Sequence, residues 1–374
     1  MLIHRLRGVD PVLLLLTVGI VLFGLVMVYS SSFIFAQERT GDGFAFIKKQ
    51  VWFALIGGGL MLFSAQIPHA RWRQWAYPAL AVAAVALILV LIPGVGARTG
   101  GAQRWIRFLG LQFQPAELAK FACMVFVARQ LASKQSSLQR FVPSVLSVFL
   151  LLLPVFGLLL LQPDFGSTAV IVMVSFLLMF LAGVPVRFLG PVLAGGLGVG
   201  MILALSSAYR RARIMTFLDP WSDPSGKGFQ ILQSFVGLHS GGMSGVGLGN
   251  GKEKLFFLPE AHNDFIFSVI GEELGFIGLS AVVLAFVVLI YRGLQVSWQA
   301  YEKRGDYFGM LLGSGITLLL GVQAFLNMAV VLGLLPTKGL ALPFISYGGS
   351  ALVIDLFAMG VLLSISRGDS GDQA

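Results

Sequence analysis

The chain has 374 residues, of which 57% are hydrophobic and only 11% charged, and its mean hydropathy is +0.87. Soluble domains carry roughly a quarter charged residues, so a soluble fold is excluded and a polytopic membrane protein is expected. The formal net charge of +9 is spread over short loops rather than along one helix or tail. That argues against nucleic acid and for a membrane surface or an anionic, membrane-borne ligand. The lone Cys123 makes no intrachain disulfide, and the scattered histidines form no Cys/His cluster of the zinc type.

The opening stretch, MLIHRLRGVDPVLLLLTVGIVLFGLVMVY, starts basic like a signal peptide. Its apolar run exceeds the roughly 7–15 residues of a signal core, so it reads as an uncleaved first span. A bilayer-crossing helix needs about 20 mostly apolar residues. Candidate spans follow at 11–35, 50–67, 76–95, 115–132, 142–161, 166–183, 189–207, 264–291, 309–334 and 342–364. The expected fold class is an all-α membrane protein, a bundle of about ten transmembrane helices in one domain over residues 1–374.

An even number of spans puts both termini on one side, with residues 366–374 as a short tail. A cytoplasmic placement puts Arg5, Arg7, Arg71, Arg73, Arg129, Lys134, Arg140, Arg292, Lys303 and Arg304 inside, as the positive-inside rule prefers. Arg98, Arg104, Arg107, Arg210, Arg211, Arg213, Lys227, Lys252, Lys254 and Lys338 then face outward and suit an anion, although solvated loop charge accounts for part of them. Residues 208–263 form a long extracytoplasmic loop between spans 7 and 8. Within it, FQILQSFVGLHSGG sets Phe229, Leu232, Phe235 and Val236 on one helical face. This segment is too short to span and reads as an interfacial or re-entrant helix.

Charged groups at membrane depth are costly, so each needs a partner or a purpose. In QPAELAK, Glu117 and Lys120 lie three apart on one helical face. They read either as an internally neutralised pair or as a cavity wall offering Lys120 to a phosphate. In QPDFG, Asp164 occupies a tight turn between two spans, which by itself is ordinary turn chemistry. PTKGLALPFISYGGS, at 336–350, is rich in Pro and Gly and so marks non-helical backbone at the membrane edge. Lys338, Ser346 and the amides of Gly348, Gly349 and Ser350 suit a phosphate-like group, against the plainer reading of a re-entrant turn. In GEELG, Glu272 and Glu273 are adjacent and point apart, so they bond neighbouring helices instead of sharing a proton.

The stretch LPEAHNDFIF gathers Glu260, His262, Asn263 and Asp264 just before a long apolar run. Helix capping accounts for one of them, Asn263 or Asp264. A carboxylate at Asp264, on a rigid helix start at the outer water–lipid boundary and below a basic loop, is placed to act as a general base.

Taken in order, GAQRWIRFLGLQFQPAELAK, QPDFG, RARIMTFLDPWSDPSGKGFQILQS, GLGNGKEKLFFLPEAHNDFIFSVIGEELGFIG and PTKGLALPFISYGGSAL resemble the motifs of the SEDS (shape, elongation, division, sporulation) family. The likeness runs from the first span to the last, and LGN, PEAH and LPTKG are closer to its cell-division branch than to its elongation branch. The resemblance implies a ten-span inner-membrane enzyme that polymerises the lipid-linked disaccharide-peptide precursor, lipid II, at the outer membrane face. It also implies a class B penicillin-binding transpeptidase and other divisome proteins as partners, with a septal location. Asp264 occupies the family's catalytic acidic position, and Glu117 and Lys120 match its QPAE motif. The sequence departs from the family at Asn263, where threonine is commoner, and in GKEK.

A polyprenyl-diphosphate donor has a leaving group that departs as an anion and needs no proton. One base then suffices in place of the usual carboxylate pair. Cations must neutralise the diphosphate instead. Asp264 is expected to activate the acceptor 4-hydroxyl, with inversion to a β-1,4 linkage. Candidate substrate contacts are Arg104, Glu117, Lys120, Asp164, Arg210, Glu260, His262, Lys338 and Ser346. No organic cofactor is expected, and a divalent cation, Mg or Mn, is compatible with the chemistry. The rival readings are a lipid II flippase and a scaffold that only recruits the transpeptidase.

Overall fold

The computed structural model describes residues 8–99, 102–108, 111–206, 211, 215–224, 226, 228–253, 261–336 and 339–368. The candidate substrate contacts Arg210, Glu260 and Lys338 lie outside the described residues.

Apolar composition and helix punctuation set the elements. Helices α1 (Pro11–Thr40), α2 (Ala45–Ser64) and α3 (Ala70–Leu91) come first. The Asp10 side chain caps α1 by accepting the Leu13 N–H at 2.9 Å, Pro11 opens it, and Gly41 closes it in the left-handed region. The next loop departs from a purely helical reading. Strands β1 (Gly96–Thr99), β2 (Ala102–Phe108) and β3 (Leu111–Phe113) form a small antiparallel sheet in that order. Helix α4 (Pro115–Ser133) is buried along nearly its whole length. A π-turn over Val142–Leu146 leads into α5 (Ser147–Leu161), followed by α6 (Phe165–Leu181) and α7 (Val186–Leu205). Then come α8 (Phe229–Gly241), α9 (Ile266–Arg304), α10 (Tyr307–Val331) and α11 (Gly349–Arg367).

Seven of these segments are long and apolar enough to cross a bilayer. The shorter apolar α6 and α7, together with the charged but enclosed α4, complete the ten-helix bundle. Its centre is α10, whose apolar window is 83% buried.

One end of the bundle is held by charge. The backbone N–H of Asp10 donates to Ser366 Oγ at 2.9 Å, which brings the two terminal spans together. Arg292 donates to the Asp10 carboxylate at 2.5 and 3.0 Å. Burial, the largest single influence, would raise the Asp10 pKa, but the Arg292 hydrogen bond and charge together with the Leu13 and Val12 N–H groups outweigh it and hold the carboxyl below its ordinary value. His69 pairs with Asp306, and Arg304 donates to the Ile365 carbonyl at 2.7 Å.

The eighth span differs from its expected form, a continuous helix. Gly275, at φ 67° and ψ −166°, divides α9 into 266–274 and 276–304. This backbone is open to glycine and strained for other residues. Residues 242–247 insert at the break. Val246 and Gly247 donate to the carbonyls of Glu272 and Glu273, both at 3.0 Å. Phe276 and Ile277 donate to Gly242 and Met243 at 2.9 and 3.2 Å. A broken helix at membrane depth is tolerated where freed backbone groups find partners, as these four do.

Helix α8 packs against the upper half of α9. Ser268 Oγ donates to the Ser234 carbonyl at 3.0 Å, and Ser234 Oγ donates to the Val331 carbonyl at 3.1 Å. Its buried face is Ile231, Leu232, Ser234, Gly237 and Gly241. Of the face expected through Phe229, Leu232, Phe235 and Val236, only Leu232 is fully buried, and Val236 is exposed. Small residues, not the largest apolar ones, make the close contact.

Candidate active site at the head of the broken helix

Asp264 lies two residues before α9, at the end of the bundle opposite Asp10 and Ser366. Its side chain is partly exposed. Two elements hold the backbone there. From α10, Asn327 Nδ2 donates to the Asp264 carbonyl at 2.8 Å and to the Leu340 carbonyl at 2.6 Å. From the loop 339–348, Ser346 Oγ donates to the Asn263 carbonyl at 2.8 Å while accepting the Leu342 N–H at 2.7 Å. The Tyr347 N–H donates to the His262 carbonyl at 2.9 Å. Three consecutive carbonyls, 262 to 264, are therefore fixed from outside the segment.

The loop itself is tied down. Gln50 Nε2 donates to the Ser346 carbonyl at 3.1 Å. Phe344 has a φ of 65°, and the loop lies so close to α1 that a Cβ on Gly24 would come within 2.5 Å of the Phe344 oxygen. Residues 339–348 are thus non-helical backbone lodged among spans, as the Pro and Gly content of this stretch implies, while Gly349 and Ser350 already open α11.

The loop also brings other candidates to Asp264. A Cβ on Gly339 would lie 3.0 Å from Asp264 Oδ2, so the carboxylate sits over this glycine. The neighbouring Leu340 packs at Gly166, the last residue of QPDFG. There Asp164 caps α6, accepting the Ser167 N–H at 3.1 Å and the Ser167 hydroxyl at 2.8 Å. From β2, Arg104 donates to the carbonyls of Gln162 and Pro163 at 3.0 and 2.6 Å. Arg104, Asp164 and Asp264 therefore belong to one end of the bundle, joined through 162–166 and 339–340.

Several side chains are committed to packing or pairing. His262 is buried against Phe35, Phe46 and Tyr347. Ser346 is 4% exposed and its hydroxyl is used within the loop. Glu117 and Lys120 form a buried ion pair at 2.8 Å, and Lys120 also donates to Gln323. The paired reading, not an open phosphate contact, describes Lys120, which is 1% exposed. Asp355 on α11 is buried within electrostatic range of both groups.

The two glutamates of GEELG differ. Glu273 accepts the Ser30 hydroxyl of α1, at 2.8 and 2.6 Å to its two oxygens, as expected of a helix-to-helix bond. Glu272 turns to the long loop, accepting the N–H groups of Lys252 and Glu253 at 2.6 and 3.2 Å. In that loop, burial and the neighbouring Glu272 charge push the Glu253 carboxyl up to about 7.

Sequence reasoning missed Asn327, Gln50 and Glu253. The one available signal was polarity in apolar surroundings: Asn327 is an amide inside FLNMAVV. Among the described residues, no three His, Cys, Asp or Glu side chains group to hold a metal ion. A protein cage for a cation therefore does not fit the described residues. Magnesium bound mainly through substrate phosphates needs only one or two carboxylates.

Residues 11–371 match the family described as cell cycle protein FtsW/RodA/SpoVE. A probable peptidoglycan glycosyltransferase FtsW of Geobacter sulfurreducens is 46% identical over 364 residues, covering 97% of this chain and 96% of that protein. Stage V sporulation protein E of Bacillus subtilis is 39% identical over 362 residues, covering 96% and 97%. Among solved structures, one from a study of polymerization and crosslinking coordinated by a peptidoglycan synthase complex superposes with a TM-score of 0.78, at 31% identity and 96% and 98% coverage. The rod shape determining protein RodA of Thermus thermophilus superposes with a TM-score of 0.69, at 28% identity and 96% and 97% coverage.

Proposed function

Because the chain belongs to the FtsW/RodA/SpoVE family of cell cycle proteins, we propose that it is a peptidoglycan glycosyltransferase with Asp264 as its general base. It polymerises lipid II into β-1,4 glycan strands at the outer face of the cytoplasmic membrane during septal wall synthesis. The name of the Geobacter sulfurreducens relative supports the reaction class. The observation that carries the site is the Asp264 carboxylate, partly exposed on a segment whose backbone is pinned by Asn327 and Ser346.

In the reaction, the Asp264 carboxylate accepts the proton of the acceptor sugar's 4-hydroxyl. The oxygen attacks the anomeric carbon of the donor and forms the glycosidic bond. The bond to the diphosphate breaks with inversion, and polyprenyl diphosphate leaves with the electron pair. A pinned backbone keeps the base in reach of the hydroxyl at every turnover, which is how positioning lowers a barrier. Arg104, at the same end of the bundle as Asp264, supplies cationic charge towards the diphosphate. Magnesium or manganese carried by the diphosphate itself is compatible with this arrangement.

The first and last described residues lie at the Asp10–Ser366 end, opposite Asp264, which supports cytoplasmic termini and an outward-facing site. The likeness to a chain whose study couples polymerization to crosslinking supports a class B penicillin-binding transpeptidase as partner, among other divisome proteins. The test is polymerisation of purified lipid II, with the transpeptidase present, by the wild type and by Asp264→Asn. Glycan chains from the wild type and a loss of about 10²–10⁴-fold in the folded variant are expected. Equal rates would move the base elsewhere, and lipid II flipping without polymerisation would favour transport.

A further inference from the structure

We propose that Asn327 is a positioning residue for the general base, setting the place of the Asp264 carboxylate over the Gly339 backbone. The inference rests on the reading of Asp264 as that base.

Asn327 stands on α10, the most enclosed of the candidate spans, and is 2% exposed. Its amide nitrogen donates both hydrogens, one to the Asp264 carbonyl at 2.8 Å and one to the Leu340 carbonyl at 2.6 Å. Both neighbours are acceptors, so the amide has a single orientation that satisfies them. The two bonded residues carry the two halves of the site: Asp264 itself, and the loop whose Gly339 faces Asp264 Oδ2. One rigid side chain thereby fixes the distance between the base and the backbone opposite it.

The third polar atom sharpens the argument. Asn327 Oδ1 is buried and has no hydrogen-bond partner among the described residues. An unsatisfied buried oxygen is costly, and such exceptions call for an explanation beyond stability. A group retained for the geometry its nitrogen imposes provides one. Ser346 and Tyr347 fix the preceding carbonyls, Asn263 and His262, so they set the segment's course. Asn327 acts at the residue that carries the reacting carboxylate.

Lipid II polymerisation is measured with the full chain bound to its transpeptidase partner, as initial rates across substrate concentration. The variants are Asn327→Ala, the near-isosteric Asn327→Asp and, in parallel, Asp264→Asn. An aspartate at 327 fits the space but sets carboxylate oxygens against two carbonyls. The expected result is a kcat at least tenfold lower for both position-327 variants. KM stays within threefold, and thermal midpoint and partner binding stay near the wild type. A kcat per folded molecule within twofold of the wild type, in either variant, would overturn the proposal. So would a loss confined to KM, which would make Asn327 a substrate contact, or failure of both variants to fold, which would make it scaffolding. Asp264→Asn at the wild-type rate would refute the base itself. An inactive Asp264→Asn beside active position-327 variants would refute only the positioning.

Discussion

Two carboxylates on this bundle meet opposite fates. Glu117, three residues into α4, is buried against Lys120, which also reaches Gln323 on α10. Asp264 has its backbone held by α10 and the 339–348 loop, while its side chain remains partly exposed. The same central helix serves both, through Gln323 and, four residues later, Asn327. In the first case it answers a charge. In the second it fixes the backbone of the residue that carries the carboxylate. Charge within a membrane bundle is thus not a marker of catalysis by itself; what matters is which atoms the neighbours engage.

The comparison is broken most directly at the closed pair. Lys120→Met leaves Glu117 uncompensated and should destabilise the chain by about 3–5 kcal/mol, the cost of breaking a buried pair. The double variant Glu117→Gln/Lys120→Met should recover most of that loss. Thermal unfolding in detergent measures both, and activity per folded molecule should stay near that of the wild type. A folded Lys120→Met chain with normal stability and no polymerisation would instead make Lys120 a substrate contact.

A smaller effect is expected at the open site. Gly339→Ala places a methyl group 3.0 Å from Asp264 Oδ2, so the carboxylate must yield by a few tenths of an ångström. Initial rates should fall by about three- to tenfold, in keeping with the sensitivity of positioned groups to small displacements. The melting midpoint should barely move, and an unchanged rate would argue that the carboxylate works in another rotamer.

The smallest effect lies behind the site, at Glu253. Its folded-state pKa of about 7 is above the ordinary 4.5. Between those values the folded chain binds the extra proton, so the stability it contributes is full below pH 4.5 and lost as pH rises through 7. Glu253→Gln keeps a neutral side chain throughout. The wild-type midpoint should therefore fall relative to the variant by a few degrees between about pH 5 and pH 8.5. A gap that does not change with pH would exclude this carboxyl as the cause.

The sequence by itself determined the class, the spans and the family. Those rest on apolar composition and linear motifs, which need no knowledge of what packs where. It placed Asp264 at the head of a span and marked PTKGLALPFISYGGS as non-helical, because Pro and Gly act locally on the backbone. It did not reveal that the eighth span breaks at Gly275, since GEELGFIG reads as helix until residues 242–247 arrive to take up the freed groups. Nor did it choose between the two readings of Lys120 or show the part played by Asn327. Their partners, Gln323 for one and the carbonyls of Asp264 and Leu340 for the other, lie on segments distant in sequence. Composition decides that a chain enters the membrane, but hydrogen-bond satisfaction among segments brought together by folding decides which polar side chains are paired and which backbone segments are held.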